Sequence, residues 1–482
     1  MEQEKSFINV KGKTQVGQTP TRSNTDVIND GGLSRSSEEV SVMGMEQRTE
    51  VIQTSLDLST SSGGMNSSSK SKGVPISKQM IMDAYRKVLK NKGGGGVDKE
   101  SLSDFEKKKS RNLYKVWNRL ASGCYFPPAV LEVEIPKDDG KKRKLGIPTV
   151  SDRIAQQVVT TYLEPRMEQI FSNHSYGYRP NKNAHQALHE VQLNVRQYAW
   201  AIDMDIKAFF DNVSHELLMK ALKRHVLEKW VLCYIERWLE APIVDESGNV
   251  RYREGKGTPQ GGVISPLLAN LFLHYVFDMW MEKYHPASPF VRYADDLVIH
   301  CSMKWQADQL LEAVKARFLE CGLEVHETKT KIAYCKNSKR RNQYPVMQFD
   351  FLGYTFKPRT TMNKEGVKFL SFSCAMSQKK MSKITKEIRL SRLHRKTERT
   401  LTEIGRHYNS KIRGWINYYG KFRWYDMKRL FRCFNSRLIK WASIRYKQFK
   451  KSKVKAGRWL RELAEQFPNT FYHWKYAIFR SA

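Results

Sequence analysis

Phe290-Val291-Arg292-Tyr293-Ala294-Asp295-Asp296-Leu297-Val298-Ile299-His300-Cys301 sets two adjacent aspartates between two apolar runs, with no Gly or Pro between them. The flanks are β-branched, aromatic and apolar, which predicts two short strands of a hairpin with Asp295 and Asp296 at its turn. Burying neighbouring carboxylates is costly without a compensating partner, and a divalent cation is the natural one. A bare Asp-Asp pair is more often a solvated turn, so the rest of the chain has to decide between these readings.

Outward from the hairpin, Trp200-Ala201-Ile202-Asp203-Met204-Asp205-Ile206-Lys207-Ala208-Phe209-Phe210-Asp211 alternates in the manner of a strand. Ile202, Met204 and Ile206 fall on one face, Asp203 and Asp205 on the other. Acidic residues are depleted in strands, and either aspartate shares a polar face with the Asp295 turn if the two strands are neighbours. Leu131-Glu132-Val133-Glu134-Ile135-Pro136 alternates as well. Lys137 to Pro148 follow it, with an Asp-Gly turn and a second short strand, making a hairpin with five basic residues near its tip (Lys137, Lys141, Lys142, Arg143, Lys144). Such a run is commonly a solvated face, whereas in a chain that binds polyanions it would hold a triphosphate; both readings stand.

Apolar residues at helical spacing predict helices near Met80–Leu89, Leu102–Leu120, Asp152–Ile170, Ala184–Tyr198, Glu216–Leu239, Leu267–Met281 and Trp305–Cys321. Loops are expected at Lys90 to Asp98, which holds four glycines, at Ser175-Tyr176-Gly177-Tyr178-Arg179-Pro180, and at Gly255 to Pro266. Lys329 and Lys331 sit in a short basic strand-like piece, and Phe351-Leu352-Gly353-Tyr354-Thr355-Phe356 reads as an apolar strand and turn.

The chain has 482 residues and a formal charge of +34, an excess that favours nucleic acid or an anionic membrane surface as partner. No run of about 18 apolar residues predicts a membrane span, and the N-terminus has no signal-peptide pattern. The seven cysteines are scattered with no C-x-x-C pair, which excludes the common structural zinc patterns and fits reduced thiols. Residues 1–73 carry 8 Lys plus Arg against 9 Asp plus Glu and one aromatic residue, Phe7, the composition of a disordered tail. Residues 371–482 carry 29 Lys plus Arg against 6 Asp plus Glu, a net +23 of the chain's +34, interleaved with Trp415, Trp424, Trp441, Trp459 and Trp474. The aromatics predict a helical core, and the charge around them predicts a surface for structured RNA.

Taken in order, the basic hairpin, Asp205-Ile206-Lys207-Ala208-Phe209-Phe210-Asp211, Pro259-Gln260-Gly261, Tyr293-Ala294-Asp295-Asp296 and Phe351-Leu352-Gly353 resemble the motif series of a reverse transcriptase. Asn91-Lys92-Gly93, Ser175-Tyr176-Gly177-Tyr178-Arg179-Pro180 and Arg413-Gly414-Trp415-Ile416-Asn417-Tyr418-Tyr419 narrow the resemblance to the reverse transcriptase/maturases encoded by group II introns, over roughly residues 76 to 450. Each motif is modest alone; five in the right order are specific.

The resemblance implies an α+β right-hand polymerase of fingers, palm and thumb with a C-terminal helical maturase region. The expected domains are a disordered tail (1–75), fingers and palm (76–357), a thumb/maturase RNA-binding domain (358–450) and a basic nucleic-acid-binding tail (451–482). Asp205, Asp295 and Asp296 would be the catalytic carboxylates, with Asp205, Asp295 and the Ile206 carbonyl holding two Mg²⁺ ions. Lys137, Lys141 and Arg143 would grip the triphosphate of a deoxynucleotide, Phe210 would exclude a ribose 2′-hydroxyl, and Gln260 and Gly261 would line the same pocket. Lys329 matches a basic position near the palm, Phe351, Leu352 and Gly353 would seat the primer end, and Arg413, Trp415, Lys451 and Lys453 would contact nucleic acid. Expected partners are group II intron RNA, a DNA target and primer, and deoxynucleoside triphosphates, with no membrane, room for a homodimer, and a cytoplasmic, nucleoid- or RNP-associated bacterial setting.

Many relatives end in a zinc-bearing endonuclease with paired cysteines. This sequence lacks the pairs, so insertion is expected to use a nick or primer made elsewhere. The competing expectations are a reverse transcriptase of retron or diversity-generating type, which the Arg413-Gly414-Trp415 region disfavours, and a non-catalytic RNA-binding splicing factor, which the intact aspartates disfavour.

Overall fold

The computed structural model describes residues 74–136, 140 and 142–476. The tail expected over 1–75 therefore falls, except for Val74 and Pro75, outside the described residues, as do Lys137 and Lys141 at the tip of the basic hairpin.

In chain order, helices α1 (Lys78–Asn91), α2 (Leu102–Lys107) and α3 (Lys109–Ala121) precede the hairpin β1 (Val130–Pro136) and β2 (Lys142–Ile147). Next come α4 (Val150–Glu168), α5 (Ala184–Gln197), β3 (Trp200–Asp205), α6 (Phe209–Asn212), α7 (His215–His225), α8 (Lys229–Glu240), β4 (Ile243–Asp245) and β5 (Val250–Arg251). They are followed by α9 (Ser265–Leu273), α10 (Met279–Tyr284), β6 (Phe290–Tyr293), β7 (Asp296–Cys301), α11 (Lys304–Glu320), β8 (Lys331–Tyr334), β9 (Phe349–Phe351), β10 (Tyr354–Met362) and β11 (Lys368–Met376). The remainder is helical: α12 (Gln378–Leu390), α13 (Leu401–Tyr419), α14 (Trp424–Arg445) and α15 (Lys453–Gln466).

Side-chain caps set several helix starts: Thr149 accepts from the Asp152 N–H at α4, and Asn183 with Gln186 and Thr400 with Glu403 form reciprocal capping boxes at α5 and α13. Three helices expected as single rods are interrupted. Lys108 separates α2 from α3, Val226 to Glu228 separate α7 from α8, and a π-helical turn, His274–Asp278, splits Leu267–Met281. Asp278, the last residue of that turn, is fully buried.

The palm is a four-stranded sheet in the order β6-β7-β3-β8, every pairing antiparallel. One face, with Trp200, Ile202, Met204 and Ile206, belongs to the large helical core. On the other, Ala201, Val291, Val298 and Ala333 pack with α5 and with the sheet β11-β10-β9. Period-2 alternation puts Asp203 and Asp205 on this second face, beyond the end of its apolar packing. The fingers sheet, β2-β1-β4-β5, pairs β1 with β2 antiparallel and with β4 parallel.

Two expected boundaries shift. The β10–β11 pair continues its sheet to Met376, past the expected break at 357. Residues 453–466, expected within a tail, form α15, whose Ala456, Leu460 and Ala464 are buried in the same core as Phe431, Phe434, Leu438 and Trp441 of α14. The reason is the apolar spacing along α15, which needs a covering partner.

Candidate active site

The hairpin predicted from Phe290 to Cys301 is β6 and β7, and β3 runs antiparallel beside β7 with Asp205 opposite Asp296 and Asp203 opposite Val298. Directly paired residues share a face, so Asp203, Asp205 and Asp296 form one acidic surface, with Asp295 at the turn above it. Asp205 directs its backbone N–H to Thr330 Oγ1 (3.3 Å) and its carbonyl to the His326 N–H (2.8 Å), both on the β8 side. Ile206 next to it forms the non-hydrogen-bonded type of pair with Val325: the Lys207 N–H donates to the Glu324 carbonyl and the His326 N–H to that of Asp205. In such a pair the residue's own N–H and C=O face away. The Ile206 carbonyl is therefore directed toward the side of the Asp295 turn, as a ligand role would require.

Charge crowding marks the site. Asp296 is exposed to solvent, yet desolvation by the protein around it, then Asp295 and Asp205, raise its carboxyl to about 7. Asp295 is raised by burial and Asp205, while Arg143 and Lys329 oppose the rise. Asp203 is lifted to about 7 by burial, against the pull of Lys331, with Asp296 and Asp350 adding to it. Lys329 donates to both Asp205 oxygens, at 3.1 and 3.2 Å, and so already holds a cation against one of the expected metal ligands. Among the described residues no three His, Cys, Asp or Glu side chains form a ready-made metal cage. Mg²⁺ does not need one, since it is commonly held by one or two carboxylates with waters and substrate phosphates. The donors are hard oxygens in mutual repulsion, a set that a divalent cation would relieve, so the residues fit the expected ions.

The turn itself is held from below by groups that local sequence patterns do not single out. Arg292 and Asp278, each 0% exposed, meet through two parallel bonds. Arg292 Nη1 also donates to Asn270 Oδ1 (2.8 Å) and the Ala294 carbonyl (3.3 Å). Asn270 in turn donates to the Gly177 carbonyl at 2.8 Å. The Ser175–Gly177 segment lies along β6, with the Tyr176 N–H donating to the Arg292 carbonyl at 2.8 Å. A Cβ on Gly177 would come within 2.3 Å of the Ala294 nitrogen, so only glycine lets this segment touch the turn. The visible signal in the sequence is a charged residue inside each of two otherwise apolar elements, Arg292 and Asp278.

The nucleotide candidates converge. Arg143 Nε donates to Gln260 Oε1 at 2.8 Å, and the Gly146 N–H donates to the Gln260 carbonyl at 2.8 Å. Gly261 has φ +120°, and a side chain there would strike the Gly146 carbonyl. Phe210 is 8% exposed, packs edge-on to Phe209, and its carbonyl accepts from the Thr258 N–H at 2.8 Å. Tyr178, not among the expected residues, is exposed and lines a cavity with Leu145, Gly146 and Gly261; desolvation of its hydroxyl and the charge of Asp295 raise it, with Arg143 opposing.

Phe351 needs correction as a nucleic-acid contact: its side chain is 2% exposed in the core behind the palm, so a contact there would have to use backbone. Leu352 and Gly353 form the turn after it, with φ of 49° and 79°. Tyr418 of α13 donates to the Leu352 carbonyl at 2.9 Å, and the Tyr354 hydroxyl donates to the Tyr418 carbonyl. Trp415 is half-buried, its covered part packed against the helical core. Arg413 is exposed with its guanidinium over the Tyr472 ring. Lys451 and Lys453 are exposed, and Lys453 lines a groove of about 550 Å³ with Lys440, Arg458 and Arg461.

A family model described as "Reverse transcriptase (RNA-dependent DNA polymerase)" matches residues 135–356, and one described as "Group II intron, maturase-specific domain" matches residues 381–459. The chain is 32% identical to protein YkfC of Escherichia coli over 259 residues, 46% of this chain and 67% of that protein. It is 27% identical to the group II intron-encoded protein LtrA of Lactococcus lactis subsp. cremoris over 422 residues, 70% of this chain and 68% of that protein. A Candida albicans telomerase structure aligns at TM-score 0.41 and 12% identity over 75% of this chain and 67% of that one, a likeness too slight to argue from. Residues 357–380 separate the two matched spans and hold the rest of β10 and all of β11, and the chain belongs to the group II intron-encoded reverse transcriptase/maturases: a right-hand RNA-directed DNA polymerase continued by a helical maturase region that serves intron splicing.

Proposed function

We propose that DNA synthesis takes place at the Asp205–Asp295–Asp296 surface, with deoxynucleoside triphosphates as substrates and two Mg²⁺ ions as cofactor. The observation that carries the proposal is the register of β3 on β7, which sets Asp205 opposite Asp296 beside the Asp295 turn. Asp205, Asp295 and the Ile206 carbonyl would hold the ions; bound there, they would neutralise the charge that develops on the attacking and leaving oxygens. Asp296 deepens the negative field that draws them. Arg143 reaches the triphosphate from the fingers hairpin, its guanidinium braced by Gln260, and Lys137 and Lys141, which lie outside the described residues, would add positive charge to the same grip. Phe210 walls the sugar side of the pocket, Gly261 keeps its backbone close to the hairpin, and Lys329 supplies a cation that can pass from Asp205 to substrate phosphate. Leu352 and Gly353 carry the primer end on backbone.

The helical region binds the cognate intron RNA through its exposed basic surface, including Arg413, Lys451 and Lys453, and does so without the carboxylates. A DNA target and primer are substrates of the same cleft. No helix among the described residues is long and apolar enough to cross a membrane, and we place the protein with its RNA in the bacterial cytoplasm, with a homodimer open to test by sedimentation. Primer extension on an RNA template with Mg²⁺ tests the site: Asp205→Asn should reduce extension to background, and extension at the wild-type rate would overturn the assignment.

A further inference from the structure

Beneath the loop that carries Gln260 and Gly261 runs a chain of buried polar groups with no role in the scheme above. It starts in α4, where Asp152 and Gln156 lie one turn apart, each 1% exposed. The Asp152 carboxylate accepts three hydrogen bonds: from Tyr125 Oη (3.0 Å) and Trp238 Nε1 (2.7 Å) on Oδ1, and from Gln156 Nε2 (2.9 Å) on Oδ2. With its nitrogen committed to Asp152, the Gln156 amide directs its oxygen the other way. Oε1 accepts the Val263 N–H at 2.7 Å and the Ile264 N–H at 3.3 Å. These donors stand at the entrance to α9, where backbone N–H groups otherwise go unpaired.

The loop is thus pinned from three directions. Thr258 N–H donates to the Phe210 carbonyl, the Gln260 carbonyl accepts from the Gly146 N–H, and Gln156 takes the two amides at the far end. Two of the pins are backbone and belong to the elements of the nucleotide pocket itself. The third is a side chain reaching up from the helix below.

We propose that Gln156, oriented by Asp152, is a positioning residue that fixes where the Gln260–Gly261 loop meets the incoming nucleotide. The proposal rests on the reading that Gln260 and Gly261 line the nucleotide pocket. Gln156 touches no substrate and acts through the Val263 and Ile264 backbone. A neutral amide suits the place, with a donor for a carboxylate on one side and an acceptor for two N–H groups on the other. Methionine would keep the length but leave buried groups unpaired on both sides. Burial lifts the Asp152 carboxyl to about 6 against the pull of its three donors, so at neutral pH it serves as acceptor.

The test is steady-state primer extension with deoxynucleotide concentration varied on a fixed RNA template and primer. Gln156→Met should raise KM for the nucleotide about tenfold, the effect of ~1.4 kcal/mol, with kcat changed less than about twofold and primer–template affinity unchanged. Gln156→Glu should rescue conditionally. Its protonated carboxyl reproduces the donor–acceptor pattern, so its deficit relative to wild type at the same pH should shrink as pH is lowered from about 8 to about 6. A merely structural role would move melting temperature, primer–template affinity and KM together, and low-pH recovery in Gln156→Glu would then appear in all three rather than in KM alone. Wild-type KM in folded Gln156→Met overturns the proposal. If Gln156→Met does not fold, absence of low-pH recovery in Gln156→Glu overturns it instead. Gln260→Ala separates the two levels: if it too leaves KM unchanged, the nucleotide-pocket reading has failed, whereas a raised KM there with an unchanged one in Gln156→Met sinks the positioning role alone.

Discussion

The Arg292 guanidinium and the Asp278 carboxylate meet in a fork with no exposure to solvent, Nε to Oδ1 at 2.7 Å and Nη2 to Oδ2 at 2.5 Å. Arg292 lies three residues before Asp295, and Asp278 comes from the π-helical turn between α9 and α10. The pairing holds Asp278 below the usual carboxylate range, because the charge and bonds of Arg292, with His274, outweigh the opposing effect of burial. Removing one partner strands the other as a buried, unpaired charge. Arg292→Leu should therefore cost about 3–5 kcal/mol of stability in urea denaturation. Arg292→Lys should also be damaging, since an ammonium cannot reproduce the two-pronged geometry. The double change Arg292→Leu with Asp278→Leu should cost less than Arg292→Leu alone. Equal costs for the single and double variants would refute the pairing as the source of the loss.

Gly177→Ala isolates the contact between the Ser175–Gly177 segment and the catalytic turn. The added methyl would overlap the Ala294 nitrogen, with the Tyr293 carbonyl carbon at 2.9 Å, so the turn must shift. Extension should fall at least about tenfold, since small displacements of reacting groups are expensive, while intron RNA affinity by filter binding stays at the wild-type value. Undiminished extension would show that the turn tolerates the shift.

Arg143→Ala should raise KM for deoxynucleotides by roughly tenfold or more, a loss in the range of hydrogen bonds to charged groups, and leave primer–template affinity intact. An equal rise for primer–template instead would move Arg143 from nucleotide to nucleic-acid backbone.

Protons and metal should compete at the acidic surface. Asp296 and Asp203 are raised to about 7, above the unfolded value, so protonation favours the folded, metal-free protein. Their contribution to stability without Mg²⁺ should be fully present below the ordinary carboxylate range and be lost as pH rises through about 7. Metal binding requires the deprotonated form, so the Mg²⁺ concentration for half-maximal extension should rise as pH is lowered from about 8 to about 6. An Mg²⁺ requirement that stays flat across this interval would contradict the crowding of Asp205, Asp295 and Asp296.

Much of the palm is legible before coordinates. Alternation over Trp200–Asp205 already separates the apolar residues from the aspartates, and the apolar flanks of Asp295–Asp296 already read as a hairpin. Register is what alternation cannot supply, because period 2 leaves Asp203 and Asp205 equivalent; only the pairing with β7 sets Asp205 opposite Asp296. The support beneath the turn was hidden for a related reason. Arg292, Asp278, Asn270 and Gly177 come from four separate segments, and no local pattern links them. Exposure misled in the other direction: Phe351 matches a family motif, yet its apolar surface is used for packing. The interruption of the expected Leu267–Met281 helix was equally invisible, since a π-helical turn keeps its residues as apolar as those of a regular helix.

The account as a whole separates chemistry on three carboxylates from RNA binding on a basic helical surface. The most direct measurement is paired assays on Asp295→Asn: primer extension on an RNA template, and splicing of the cognate intron at moderate salt. Extension should drop to background while splicing proceeds at the wild-type rate. Extension that survives, or splicing lost together with it in a folded protein, would contradict that separation.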